Sequence, residues 1–208
     1  KKLSEESIKN YVERFTSAFK NINQNALDKL KFEILKRVNT SQEIFLIGNG
    51  GSAANANHIA GDFLKTFSSA GLTLKISSLC ENSCYITATS NDEDFSEVYE
   101  ILVNTRISKG DLVIFLSGSG NSLNLIKTAI SSKKNYIRTA AIIGFQGGAL
   151  KDMVDIPIHL EIDDMEISED AQMTIFHYLK QSLLKDFINI KEKTSKKYKK
   201  RTNEGLIA

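Results

Sequence analysis

Apolar residues follow two spacings along the chain, and their alternation predicts an α/β fold. Short, nearly continuous apolar runs are typical of strands buried on both faces, and apolar residues three or four positions apart are typical of helices. Strands are predicted at Glu43–Ile47, Leu72–Ile76, Leu112–Leu116, Thr139–Ile143 and Ile156–Leu160, and helices near Ala53–Phe67, Glu93–Val103, Leu123–Ser132 and Ala149–Met153. We therefore expect a parallel five-stranded sheet flanked by helices.

Further helices are predicted at both ends of this α/β region. Two apolar stripes precede it, and Ser4 and Asn25 are the expected N-caps of the two helices. A long final helix is predicted from Ser168, its expected N-cap, to Asn189. The first stripe consists of Ile8, Tyr11, Val12, Phe15 and Phe19, and the second of Leu27, Leu30, Ile34, Leu35 and Val38. The predicted organisation is a helical pair at 1–40 that serves oligomerisation, an α/β domain at 41–190 and a basic tail at 191–208.

Composition and charge narrow the function classes. The chain has 208 residues, of which 41% are hydrophobic and 25% charged, as expected for one globular domain. Seven basic residues and one acidic residue lie between Lys191 and Arg201, so the rest of the chain is slightly acidic and nucleic-acid binding is not expected. Cys80 and Cys84, four residues apart with no second cysteine pair or nearby histidine, make a poor zinc motif and are expected to be free thiols. No apolar run is long enough for a membrane span and no signal peptide is recognised, which predicts a cytoplasmic protein without a membrane partner.

Two loops rich in glycine and serine follow predicted strands. Residues Gly48–Ser52 come directly after the first strand and before a helix, and residues Ser117–Ser122 come after the third strand. Glycines expose backbone N–H groups, hydroxyls donate hydrogen bonds, and a helix N-terminus favours an anion. Ligands of parallel sheets bind at the carboxyl ends of the strands, so the two loops together predict a site for a phosphorylated small ligand.

Titratable residues on two predicted helices are candidates for chemistry. His58 and Asp62 are four residues apart and share one face of the helix after the first loop, where they can bind a metal or transfer protons. The final helix carries Glu169 and His177. Acidic residues in a first turn also simply favour the helix dipole, and His177 read alone is equally compatible with a core histidine. His159, on the last strand, is expected to be structural.

The run Phe45–Lys65 resembles the signature of the phosphoheptose isomerases within the SIS family. Ser90–Asp92, the loop Ser117–Ser122 and a C-terminal helix with His177 follow in the order found in that family. The resemblance implies a SIS-type fold, a homotetramer, and conversion of sedoheptulose 7-phosphate to D-glycero-D-manno-heptose 7-phosphate through an enediol.

The same resemblance implies roles for individual residues. Asp62 is the implied catalytic base and His177 its acid partner. A zinc ion is implied at His58, Asp62, Glu169 and His177, so Asp62 is implied both as base and as ligand, two roles that it need not combine. The implied substrate-binding residues are Asn49, Gly50, Gly51, Ser52, Asn91, Asp92, Ser117, Gly118, Ser119, Ser122 and Glu169.

Three positions depart from the family pattern. Asp62 stands where the family usually has glutamate, Glu169 where it usually has glutamine, and Gly118 where a hydroxyl residue is common. Two alternatives therefore stay open beside the heptose isomerase. One is an isomerase of another sugar phosphate, and the other is a non-catalytic SIS module that binds a phosphosugar or a protein, as does a bacterial regulator of replication initiation.

Overall fold

The structure is a computed structural model that describes residues 7–188. Five strands and eight α-helices alternate along this part of the chain, and the short 3₁₀ turn Phe95–Glu97 precedes α5. The strands are β1 (Glu43–Gly48), β2 (Lys75–Ser78), β3 (Leu112–Ser117), β4 (Arg138–Ile143) and β5 (Ile156–His159). The helices are α1 (Ile8–Ser17), α2 (Gln24–Leu35), α3 (Gly50–Ser69), α4 (Ser83–Asp92), α5 (Val98–Arg106), α6 (Leu123–Lys134), α7 (Leu150–Met153) and α8 (Met165–Ile188).

All five strands are parallel, which confirms the predicted fold class. Their order is β2-β1-β3-β4-β5. The chain therefore passes from β1 to the edge strand β2 and then returns to β3, which pairs with the opposite side of β1. This reversal opens a crevice beyond the carboxyl ends of β1 and β3, where ligands of such sheets bind. Gly48 at the end of β1 is in register with Leu116, so the two glycine- and serine-rich loops emerge side by side.

Alternate residues of the central strands point into two separate cores. In β1, Ile44 and Leu46 pack into the core that also contains residues of α2, α3 and α8. Phe45 and Ile47 pack into the opposite core, formed with α5, α6 and α7. Because both faces of the sheet are covered, the central strands β1, β3 and β4 show the continuous apolar runs from which they were predicted.

Three predicted N-caps were wrong. Ser7 caps α1, where its side chain accepts a hydrogen bond from the Asn10 backbone N–H, while Ser4 lies outside the described residues. Asn23 rather than Asn25 caps α2 by accepting from Ala26 N–H. Ser168 is a buried residue inside α8, because the Asp164 carboxylate caps that helix one turn earlier through Ile167 N–H.

The second strand and the segment after it differ most from the prediction. The strand occupies Lys75–Ser78 rather than Leu72–Ile76. Helix α4 was not predicted, since none of its residues is buried and it shows no apolar stripe.

Between residues 7 and 188, no helix combines the length and the hydropathy that a membrane span requires. The predicted basic tail at 191–208 lies outside the described residues.

Candidate functional site

A small cleft lies at the crevice between β1 and β3 and joins the two loops. Its volume is about 100 Å³. Both loops and the first turns of α8 contribute to its wall, so the structure brings most of the residues predicted to bind substrate into one place. The lining residues are Asn49, Ser52, Leu116, Ser117, Gly118, Ser119, Ser122, Leu125, Met165 and Glu169.

The first loop is shaped by two glycines and fixed by amide hydrogen bonds. Gly50 has a positive φ of 53°. A Cβ on Gly51 would lie closer than 3.0 Å to the carboxylate of Glu169, so only glycine lets α8 approach this turn without displacing that side chain. Asn49 and Asn124 donate to each other's side-chain oxygens at 2.9 Å, which ties the loop to the start of α6.

The second loop presents hydroxyls around a tight backbone turn. Ser117 Oγ accepts from Gly120 N–H at 2.9 Å, and Ser119 Oγ accepts from Asn121 N–H at 3.3 Å. Within residues 7–188 neither hydroxyl donates a hydrogen bond, so both protons can be directed at a ligand. Ser122 precedes α6 as its N-cap residue but makes no side-chain capping bond, so its hydroxyl can also donate to an anion. Together with the N-terminus of α6, these groups supply the kind of donors that a bound phosphate requires, and no lysine or arginine is among the residues that line the cleft.

Glu169 brings a carboxylate to the wall of this cleft. Burial raises the pKa of Glu169, and the hydrogen bond from Ser52 N–H opposes that rise only in part. Ser52 itself is buried, and its Oγ accepts from the Nε2 of the buried Gln172 at 3.0 Å. A partly desolvated carboxylate therefore lies beside the groups predicted to hold phosphate.

A second group of candidate functional side chains lies farther along α3 and α8. His58, Asp62 and His177 place potential ligand atoms within 4.8 Å of one another. His177 Nε2 is 3.8 Å from Asp62 Oδ2, and the two imidazole rings meet edge to face with their centroids 6.0 Å apart. Two imidazoles and one carboxylate are a donor set suited to a catalytic zinc, which takes three protein ligands and keeps one open position.

Lys180 is a member of this cluster that sequence reasoning missed. Its ammonium group forms a hydrogen-bonded ion pair with Asp62 Oδ2, and its side chain is only 15% exposed. It lies three residues after His177 and so shares that residue's face of α8, a spacing visible in the sequence. The packing of α8 against α3 was needed to show that this face meets Asp62.

Three of the predicted site residues lie away from the groups that they were expected to join. Asn91 and Asp92 are exposed in the last turn of α4, where Asn91 Nδ2 donates to Asp92 Oδ1, and neither lines the cleft. Glu169 lies outside the group formed by His58, Asp62 and His177, since it precedes His177 by eight residues, about 12 Å along a helix. Its role as a metal ligand stays a prediction, as do the roles of Asn91 and Asp92.

Comparison with known proteins identifies the family. The SIS domain family model matches residues 8–144. A probable phosphoheptose isomerase of Thermoplasma acidophilum is 30% identical over 82% of this chain and 94% of its own length, and a phosphoheptose isomerase of Thermodesulfovibrio yellowstonii is 33% identical over 70% and 73%. The phosphoheptose isomerase structure from Neisseria gonorrhoeae superimposes with a TM-score of 0.74 at 22% identity, over 84% of this chain and 96% of that one. The chain therefore belongs to the SIS domain family and, within it, to the phosphoheptose isomerases.

Proposed function

We propose that the protein is a phosphosugar isomerase that converts sedoheptulose 7-phosphate to D-glycero-D-manno-heptose 7-phosphate. The observation that carries this proposal is the pairing of Asp62 with His177, 3.8 Å apart, in a chain that also forms a hydroxyl-lined cleft at the carboxyl ends of its strands. Relatives named phosphoheptose isomerase, aligned over most of their length, support the choice of sugar.

The chemistry requires a base and an acid at neighbouring positions. A base removes the proton from the carbon beside the carbonyl while an acid protonates the carbonyl oxygen, which gives an enediol. The hydroxyl on the first carbon then loses its proton as the former carbonyl carbon gains one, and the carbonyl is re-formed at the neighbouring position. Asp62 supplies the base and His177 the acid in this proposal, since a carboxylate and an imidazole at this separation address adjacent atoms of one substrate. The Ser117–Ser122 loop holds the phosphate and so fixes the position of the reacting carbons.

A metal ion fits the same cluster. His58, Asp62 and His177 would hold it, and zinc is the ion whose ligand preferences they match. When bound, it would polarise the oxygen atoms beside the reacting carbons. Lys180 already occupies one oxygen of Asp62, so the ion and the ammonium group compete for that carboxylate.

The distance along α3 supports a homo-oligomer, for which we propose a tetramer. His58 lies eight residues and Asp62 twelve residues beyond Gly50, about 12 and 18 Å along the helix axis. An extended seven-carbon sugar phosphate is shorter, roughly 10 Å by its covalent bond lengths. A substrate held at one cleft would therefore meet the Asp62 cluster of a second copy, with the exposed Ile8 and Val12 of α1 available for subunit contacts. A cytoplasmic location follows from the same proposal, because phosphorylated sugars are made and used there.

The test is turnover of sedoheptulose 7-phosphate followed by NMR at several protein concentrations. We expect Asp62→Asn and His177→Ala to lower kcat by about 100-fold or more while the thermal unfolding transition is retained. Asp186→Asn, which removes a carboxylate from the far end of α8, is the matched control and should leave kcat unchanged. Specific activity should fall on dilution. A wild-type protein that binds this sugar without turning it over would overturn the proposal and favour the non-catalytic SIS module.

A further inference from the structure

The Asp62 carboxylate is already engaged by groups of this chain on both of its oxygens. Lys180 donates to Oδ2, and Thr66 Oγ1 lies 3.5 Å from Oδ1. The side chains of Asp62 and Lys180 are 22% and 15% exposed, so the ion pair is largely shielded from water between α3 and α8. A shielded pair with a further hydrogen bond holds its geometry better than a surface pair, which water screens.

The same Oδ2 atom lies 3.8 Å from His177 Nε2. Asp62 also contributes one carboxylate oxygen to the group in which the donor atoms of His58, Asp62 and His177 are within 4.8 Å of one another. His58, Asp62 and His177 would hold a zinc ion through these atoms. The ammonium group on Oδ2 would then be a close neighbour of a divalent cation, and its ion pair with Asp62 is itself largely shielded from water.

We propose that Lys180 is a positioning residue that acts as an internal competitor of the metal ion. It keeps Asp62 oriented in the metal-free protein and has to leave Oδ2 before a divalent cation can use that oxygen. The proposal deepens the proposed function, because it concerns the same Asp62 cluster, but its readout is metal affinity and does not depend on turnover. The predicted outcome is weak zinc binding by the wild-type protein, tightened when the ammonium group is removed.

The competing account gives the opposite sign. If Lys180 served only to orient Asp62 toward the metal, as outer-shell partners of metal ligands do, its removal would weaken binding by about 10–100-fold. Under competition, Lys180→Met keeps most of the aliphatic stem and removes the charge, so it should lower the zinc Kd by about 10-fold or more because a repulsion between neighbouring cations is lost. Lys180→Arg retains a cation and should keep the Kd within a few-fold of the wild type.

The experiment measures zinc affinity by competition with a chromophoric chelator on the purified full chain. Lys31→Met is the matched control, since Lys31 pairs with Asp186 across α2 and α8, at 2.7 Å and away from the histidines, and its loss should leave the Kd unchanged. The tightening in Lys180→Met should disappear when His58→Ala is added, which assigns the bound ion to this cluster. Thermal unfolding of each variant reports whether the fold is retained.

Two results would overturn the proposal. One is a zinc Kd of Lys180→Met equal to or weaker than that of the wild type. The other is tightening that persists in the His58→Ala background, because the ion would then bind elsewhere. If the wild-type protein does not turn over sedoheptulose 7-phosphate but Lys180→Met still tightens zinc binding, the proposed function is rejected and the role of Lys180 stands.

Discussion

Substituting Gly120 by alanine tests the close packing of the Ser117–Ser122 loop against the backbone of Gly147. Gly120 has a φ of 67°, and a Cβ at this position would lie 2.7 Å from the carbonyl carbon of Gly147 and closer still to its oxygen. Gly71, after the end of α3, has nearly the same φ of 70° but no atom within 4 Å of the corresponding Cβ position. Both alanine variants therefore have the same backbone strain, but only Gly120→Ala also brings its methyl group into collision with the Gly147 carbonyl.

The expected losses follow from these two terms. The left-handed conformation costs alanine about 1–2 kcal/mol. The smaller entropy of the unfolded alanine chain offsets about 0.4–1 kcal/mol, so Gly71→Ala should lose about 1 kcal/mol of unfolding free energy. Gly120→Ala should lose about 1–3 kcal/mol more, since a backbone carbonyl cannot rotate away from the new methyl group as a side chain can.

Urea unfolding of both variants at one protein concentration measures the difference. The midpoint should fall with an unchanged m-value, and Tm should fall by about 2–4 °C for Gly71→Ala and by clearly more for Gly120→Ala. Equal losses in the two variants would refute the close approach of Gly120 to Gly147. Gly120→Ala should also weaken phosphate binding, because the displaced turn carries the Ser117 and Ser119 hydroxyls, whereas Gly71→Ala should not.

Two further predictions concern the wall of the cleft. Because burial raises the pKa of Glu169, the stability that its protonated form contributes is fully present below the ordinary value of 4.5 and is lost as the pH rises through the raised value. Glu169→Gln should therefore have a higher Tm than the wild type at pH 7, with the gap narrowing in acid, and a lower Tm at pH 7 would contradict this reasoning. Ser122→Ala should leave Tm nearly unchanged, since the side chain makes no capping bond, but should weaken binding of inorganic phosphate by about 10-fold in calorimetry. Unchanged phosphate affinity would place the anion elsewhere.

The local pattern of apolar residues was sufficient to predict the strands that are buried on both faces of the sheet. Four of the five predicted strands agree with the structure to within one residue at each end, and both glycine- and serine-rich loops follow their strands as expected. The prediction failed at β2 and α4, where burial is weaker. In β2 a buried residue alternates with exposed or half-buried ones, and α4 buries none of its residues, so neither carries the signal on which the prediction depended.

The sequence by itself determined the parallel sheet, the two loops at its carboxyl edge and the spacing of His58 and Asp62 on one helix face, because each depends on residues close together in the chain. Only the tertiary structure decided which groups from distant segments meet. Helices α3 and α8 pack with their N-terminal ends together, which brings Glu169 to Gly51 and Lys180 to Asp62 across 118 positions of sequence. Contacts of this kind depend on how two helices pack on a shared core, and the local pattern of either helix does not contain that information.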